Sequence, residues 1–472
     1  MLDELPIVLD RTAAEPLAVQ VAGALRAAAT GGVLRRGERL PSTRTLAERL
    51  GVSRSVVAAA YDQLHAEGWI AGRHGSGTYL TAAPAGAPQH HPAARGDGAR
   101  PALLDLGPGA PCVDAIDRAA WRRAWRAAAD RTPVVRKERG GEPAYVAAVA
   151  EHLLRHRGLR AGHDTDTVVL ATAGTSAAVG ELAAALLRPG DAVAVEDPGY
   201  QRAVGAFRAA GIRVEPVPVD EAGLRVDRIP PDVRAVYCTP AHQFPMGARM
   251  PAARRVALVE HARRHGLLVL EDDYDGELRY DTAPLPLLAA LAPDVVVHLG
   301  TTSKILSPTL GVGWLVAAPG IARAVLDHRE RTGTTPAPAG QLVLAELARH
   351  GDLARHLRRL RRLVAPRREL VVAALRERGL EVLGDDAGSH VVVPLPGQAA
   401  ERAAVRFGRL AGLELDSLTR HHLDADVPRR RFGIPLGYTA TSHAELRVAA
   451  NAAADCLARA REEHPAGDAN SP

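Results

Sequence analysis

Apolar positions recur along the chain with two different periods, and the change of period divides it. Near the start the spacing is helical: Leu17, Val21 and Leu25 share one face of a first helix. Thr43 can cap a second helix, RTLAERL, that stops at Gly51, and Ser53 can cap a third, RSVVAAAYDQLHAEG, in which Val56, Ala60 and Leu64 repeat. The short turn Gly51-Val52-Ser53 has helix-turn-helix length. Trp69-Ile70 and Thr78-Tyr79-Leu80 then read as two short strands around Arg73-His74-Gly75-Ser76-Gly77, a Gly-rich hairpin or wing.

From Thr81 to Ala102 periodicity disappears into Pro, Gly and Ala, the composition of a semi-flexible linker. This gives a head at 1–80, a linker at 81–102 and a body at 103–465. In the body, apolar β runs alternate with helical stretches. The strands expected are Thr167–Ala171, Ala192–Val195, Arg234–Cys238, Leu267–Glu271, Val295–Leu299 and Val312–Ala317, with helices at Ser176–Leu187 and Ala252–His265 between them. Continuous Val/Leu strands alternating with helices predict a parallel sheet buried on both faces, an α/β body. Its large part runs from about 135 to 330. After 330 the chain turns helical and Arg-rich, then returns to short strands near His390–Val393 and Glu414–Leu415, as a smaller α+β lobe at 331–460 would.

Composition sharpens the picture at two points. An apolar share of 47% with 24% charged residues is an ordinary globular balance, and no uncharged apolar run reaches the roughly 18 residues of a membrane span. The acidic N-terminus lacks the basic region of a signal peptide, and Cys112, Cys238 and Cys456 lie far apart without metal-ligand spacing. Both features predict a cytoplasmic protein with reduced thiols. The second point is lysine. Only Lys137 and Lys304 are present, so 57 of the 59 Lys and Arg residues are arginine. Arginine cannot replace lysine in imine chemistry, because its guanidinium stays protonated.

The stretch Arg39–Leu80, RLPSTRTLAERLGVSRSVVAAAYDQLHAEGWIAGRHGSGTYL, resembles the signature of the GntR superfamily of winged helix-turn-helix regulators. A double-stranded DNA operator is the partner this implies. Arg44 opens the second helix, Ser53, Arg54 and Ser55 open the third, and Arg73 and His74 sit in the wing, so these six are the candidate DNA contacts.

In the body, LGTTSKILSPTLGVGW around Lys304 resembles the Schiff-base lysine segment of fold-type-I pyridoxal-phosphate enzymes, with Thr301 and Ser303 as hydroxyl donors to the phosphate. In EDDYD, Asp272 matches the carboxylate that keeps the pyridinium nitrogen protonated, and Tyr274 the partner of the ring hydroxyl. EDPGY resembles the segment whose aromatic, here Tyr200, stacks on the ring. Gly174, Thr175 and Ser176 place N–H groups and hydroxyls at a helix start, an anion site. TPAHQFPMG resembles a segment typical of MocR-type regulators, with His242 near the ring or simply structural.

Taken together, the chain resembles the MocR-type subfamily of GntR regulators, which implies an aminotransferase-like body in a head-to-tail homodimer. Pyridoxal phosphate, sometimes with an amino compound, is the effector, and turnover is normally absent. Arg202 and Arg420 stand where relatives hold an effector carboxylate. Two places depart from the pattern: seven residues after the lysine the family usually has a phosphate-clamping arginine, and here it is Gly311, and the family's YGDP-like stretch is absent around Arg136–Gly141 (RKERGG). Three functions therefore compete: a cofactor-responsive regulator, a working aminotransferase carrying a DNA-binding head, and a regulator that has lost the cofactor.

Overall fold

The computed structural model describes residues 7–31, 33–34, 36–73, 77–81, 103–162, 165–280, 284–384, 386–423 and 431–465. They divide into two compact units, Met1–Arg100 and Pro101–Pro472. The proposed linker 81–102 lies outside the described residues apart from Thr81.

The first unit has three helices, α1 (Leu17–Thr30), α2 (Thr43–Leu50) and α3 (Arg54–Ala66), and a hairpin of β1 (Ile70–Arg73) and β2 (Gly77–Leu80). The strands pair antiparallel from Ile70 opposite Leu80 to Arg73 opposite Gly77. Three local expectations change. The cap of α2 is Ser42, one residue before Thr43, and its side chain accepts from Thr45 N. Ser53 starts α3 without a capping bond, because its hydroxyl pairs with Ser55 Oγ at 2.8 Å. The buried stripe of α3 is Val57, Ala60, Tyr61 and Leu64, displaced from Val56 because Tyr61 reaches across to donate to Pro41 O at 2.8 Å. Gly51, at φ 60°, ends α2 in the left-handed conformation that glycine adopts without steric cost.

The second unit is built on eight strands in the order β4-β11-β10-β9-β8-β5-β6-β7. After the short β3 (Leu104–Asp105) these are β4 (Val168–Thr172), β5 (Ala192–Asp197), β6 (Arg213–Asp220), β7 (Gly223–Leu224), β8 (Ala235–Cys238), β9 (Leu268–Asp272), β10 (Val296–Thr301) and β11 (Gly313–Ala317). The sheet is mixed, which corrects the all-parallel expectation: β11 runs antiparallel to both β10 and β4, and β7 folds back on β6. β6 was not expected from the sequence, since Pro216 and Pro218 interrupt it. It is tolerated next to the short edge strand β7, where missing N–H donors cost least.

Strand residues alternate between two apolar cores. Val169 and Ala171 enter one and Leu170 the other, while Val193 and Val195 oppose Ala192 and Ala194. Burial on both faces is why these strands read as unbroken apolar runs. Three further strands complete the set: β12 (His390–Leu395), β13 (Leu413–Glu414) and β14 (Phe432–Gly437). β12 pairs antiparallel with β14, and β13 pairs with β3. The 352–377 and 398–410 helices pack on these strands, and the 443–463 helix packs on those two helices. Among the described residues no helix is long and apolar enough to cross a membrane. All three cysteines are free and buried.

Candidate functional site

Strands β4, β5, β8, β9 and β10 run in one direction, so their carboxyl ends share one edge of the sheet. That edge of an open α/β sheet is where ligands bind. Each strand end delivers one expected segment: Gly174–Ser176 after β4, Tyr200 after β5, His242 after β8, Asp272 and Tyr274 at β9, and Thr301, Ser303 and Lys304 at β10. They line a cavity of about 1340 Å³, into which the 105–111 segment and residues from the 398–421 region also project. His242 is the exception and sits behind Tyr274, outside the lining.

Four acids cluster at the end of β9, and packing separates them. Glu271 caps the backbone N–H groups of Leu288 and Ala289 at 2.6 and 3.0 Å. Asp273 is held by Arg157, and Asp275 by His242. Asp272 alone turns into the cavity. Its Oδ2 accepts from Tyr237 Oη at 2.6 Å, while the buried Oδ1 has no partner among the described residues. Burial pushes its carboxyl up to about 7, against the opposing hydrogen bond from Tyr237. An orphaned buried carboxylate oxygen is costly, and a protonated ring nitrogen is the kind of donor that satisfies it.

The Lys304 amine is half-buried and donates to Gly109 O. Burial lowers its pKa, with the nearby Arg202 charge acting in the same direction and Asp275 and Asp272 opposing. That favours the neutral amine needed for attack on a carbonyl. Lys137 is exposed. At the start of the Thr175–Leu186 helix, Gly174 takes φ 121°, and a Cβ there would lie 3.7 Å from Thr301 Oγ1, so the two phosphate-binding candidates meet. Ser303 N donates to Thr301 Oγ1 at 3.2 Å, and Ser176 Oγ lies 3.2 Å from Tyr200 Oη.

The two carboxylate candidates differ. Arg202 lines the cavity beside Tyr200. Arg420 also lines it, but its guanidinium is paired with Asp416 at 2.7 Å, and Asp416 also meets His421 Nε2 at 3.1 Å. Tyr237, Phe244 and Gly109 were missed by sequence reading. Tyr237 carried a faint signal, a hydroxyl in an otherwise apolar strand; the other two became visible only through folding. Gly311 is not in the lining. It ends a short turn at φ 59°, and a Cβ there would meet nothing within 4 Å.

In the first unit Arg44, Ser53, Arg54 and Ser55 are all exposed. Arg54 Nε donates to Thr43 Oγ1 at 3.4 Å, linking the starts of α2 and α3, and Arg44 pairs loosely with Glu48. Arg73 ends β1, while His74 lies outside the described residues.

Residues 17–80 match the bacterial regulatory proteins of the gntR family, and residues 101–413 match aminotransferase class I and II. The chain is 37% identical over 382 residues to the HTH-type pyridoxine biosynthesis transcriptional regulator PdxR of Corynebacterium glutamicum, covering 79% of this chain and 81% of that one. It is 32% identical over 478 residues to the probable rhizopine catabolism regulatory protein MocR of Rhizobium meliloti, covering 94% of each. The chain belongs to the MocR-type GntR transcription regulators. Its body is similar to kynurenine aminotransferase of Pyrococcus horikoshii, with TM-score 0.69 and 26% identity over 77% of this chain and 91% of that one. As in other MocR-type regulators, a DNA-binding head is joined to a fold-type-I body, and pyridoxal phosphate is the cofactor that this fold supports.

Proposed function

We propose that this regulator senses pyridoxal phosphate, or an amino compound that reacts with it, in the strand-end cavity and converts occupancy into a change in operator affinity. The observation that carries the reading is the Lys304 amine and the unpartnered Asp272 Oδ1 lining one cavity. Asp272 would hold the ring nitrogen and Tyr274 the ring hydroxyl. Tyr200 would cover the ring face. Gly174, Thr175, Ser176, Thr301 and Ser303 would cradle the phosphate. The cofactor supplies an aldehyde and an electron-withdrawing ring. Arg202, beside Tyr200, and Arg420, exposed and paired with Asp416, are the candidates for an effector carboxylate. The reading also includes a head-to-tail homodimer and a cytoplasmic location with the operator. The test is operator affinity of the full-length protein with and without pyridoxal phosphate at fixed salt. Equal affinities would overturn the proposal, and steady turnover of an amino donor would favour an enzyme.

Arg54→Ala is expected to weaken operator binding by about 1–3 kcal/mol, because the side chain stands at the exposed start of α3 where phosphates or base edges are met. Arg349→Ala is the control: that side chain is paired with Glu346 on the surface of the body and should leave the affinity unchanged. Equal operator affinity of wild type and the Arg54 variant removes Arg54 from the interface.

Gly311→Arg is expected to tighten pyridoxal phosphate binding about tenfold, since a charge-assisted bond to phosphate contributes roughly 1.5–3 kcal/mol. The side chain starts in open space, but the positive φ costs the fold roughly 1–2 kcal/mol whether or not the cofactor is bound. Affinity and thermal stability should therefore move in opposite directions. Unchanged or weaker binding by calorimetry would mean that another cation already serves the phosphate.

A further inference from the structure

Two helices on the surface of the body carry more arginine than their own packing uses. They are Arg118–Ala129 and the first half of Asp352–Glu377. The first holds Arg118, Arg122, Arg123 and Arg126 and no acid. From Asp352 to Pro366 the second has five arginines against Asp352 alone, and of the five only Arg361 turns away, to Glu277. Ion pairs tie the helices together: Arg123 meets Asp352 at 2.7 Å, and Arg359 meets Asp117, the cap of the first helix, at 3.6 Å. The two pairs connect the helices in opposite order and over matching lengths, so the helices lie alongside each other and run antiparallel. Each turns an apolar side inward, Ala120 and Ala124 on one and Leu353, Leu357 and Leu360 on the other. The remaining arginines therefore share one outer face.

The fold occupies only some of these cations. Arg123 and Arg355 share Asp352, and Arg359 holds Asp117. Arg118, Arg122, Arg126, Arg358 and Arg362 are all exposed and make no ion pair among the described residues. Their spacing works against the helices that carry them. Arg118, Arg122 and Arg126 follow at intervals of four residues, as do Arg358 and Arg362, and like charges at that spacing weaken a helix. Arg118 also stands at the positive end of its helix dipole. A polyanion laid along the face reverses the sign of each of these terms. The planar guanidinium fork, with its five donors, matches phosphate oxygens in particular.

We propose that this arginine face of the body binds the sugar-phosphate backbone of duplex DNA, as a sequence-independent contact separate from the base-reading head. Duplex DNA is the polyanion in question because the head of the same chain binds it, and a second contact linked to the first forms at high effective concentration. Backbone contacts carry no sequence information. The face therefore adds affinity and salt dependence and leaves operator preference to the head. It acts whether or not the strand-end cavity is filled.

The experiment measures binding of the full-length protein to a long random-sequence duplex, and to the same duplex carrying the operator, over a series of salt concentrations. The double variant Arg358→Ala with Arg362→Ala removes two exposed side chains and strands no partner, so the fold should be untouched, which thermal unfolding checks. Binding to both duplexes should weaken by roughly three- to tenfold per arginine at low salt, and the slope of log affinity against log salt should become shallower by about two. The operator-to-random ratio should keep its wild-type value. Adding Arg118→Ala and Arg122→Ala should flatten the slope further. Arg358→Lys with Arg362→Lys keeps both charges and should retain most of the affinity and slope. An unchanged slope in the alanine variant would overturn the proposal and leave the face to an acidic protein. A loss confined to the operator duplex would overturn it as well, since these arginines would then read sequence.

Discussion

Lys304→Ala is expected to abolish covalent, borohydride-fixable attachment of pyridoxal phosphate and with it every cofactor-dependent change in operator binding. Lys304 is the lysine on the cavity wall, while Lys137 is exposed. The pocket also prepares this amine, since burial and Arg202 both favour its neutral form. Residual binding through ring and phosphate contacts should be at least about tenfold weaker, a loss of some 1.4 kcal/mol. The fold should survive. The substitution removes one hydrogen bond, to Gly109 O, at about 1 kcal/mol, and relieves the desolvation of a half-buried amine. Basal operator affinity should stay near wild type. Absorbance, mass analysis after borohydride and operator titration together check this, and finding the cofactor attached at Lys137 would sink it.

Arg329→Met is expected to destabilise the body by about 3–5 kcal/mol, although the residue touches no ligand. Arg329 is fully buried, on the Pro319–Thr332 helix. Its guanidinium grips both Glu181 oxygens at 2.9 and 2.7 Å, and also Ala171 O at 2.7 Å and Arg139 O at 2.6 Å. Removing it takes the guanidinium from a carboxylate that is only 20% exposed and from two backbone carbonyls. Glu181 belongs to the helix that begins at Thr175, and Ala171 lies in β4 just before Gly174, so the proposed phosphate cradle should loosen as well. Removing the partner charge too, in Arg329→Met with Glu181→Leu, should recover part of the loss. Denaturant unfolding of apo protein measures both variants, and a loss under about 1 kcal/mol in the single variant would show that the cluster relaxes without cost.

The sequence by itself determined the local and the chemical parts of this protein. Period and punctuation located the helices and strands, because burying one helical face or both strand faces leaves its own spacing in the chain. The two-lysine count marked Lys304, and the motifs marked Asp272, Tyr200 and the head arginines before any contact was known. Tertiary structure decided what no local pattern encodes. The antiparallel run of β11 depends on which strands become neighbours. The choice of Asp272 among four adjacent acids depends on Arg157, His242 and the 288–291 helix occupying the others. In each case the outcome turns on charges and backbone groups far apart in sequence, and their pairing energies exist only once the chain has brought them together.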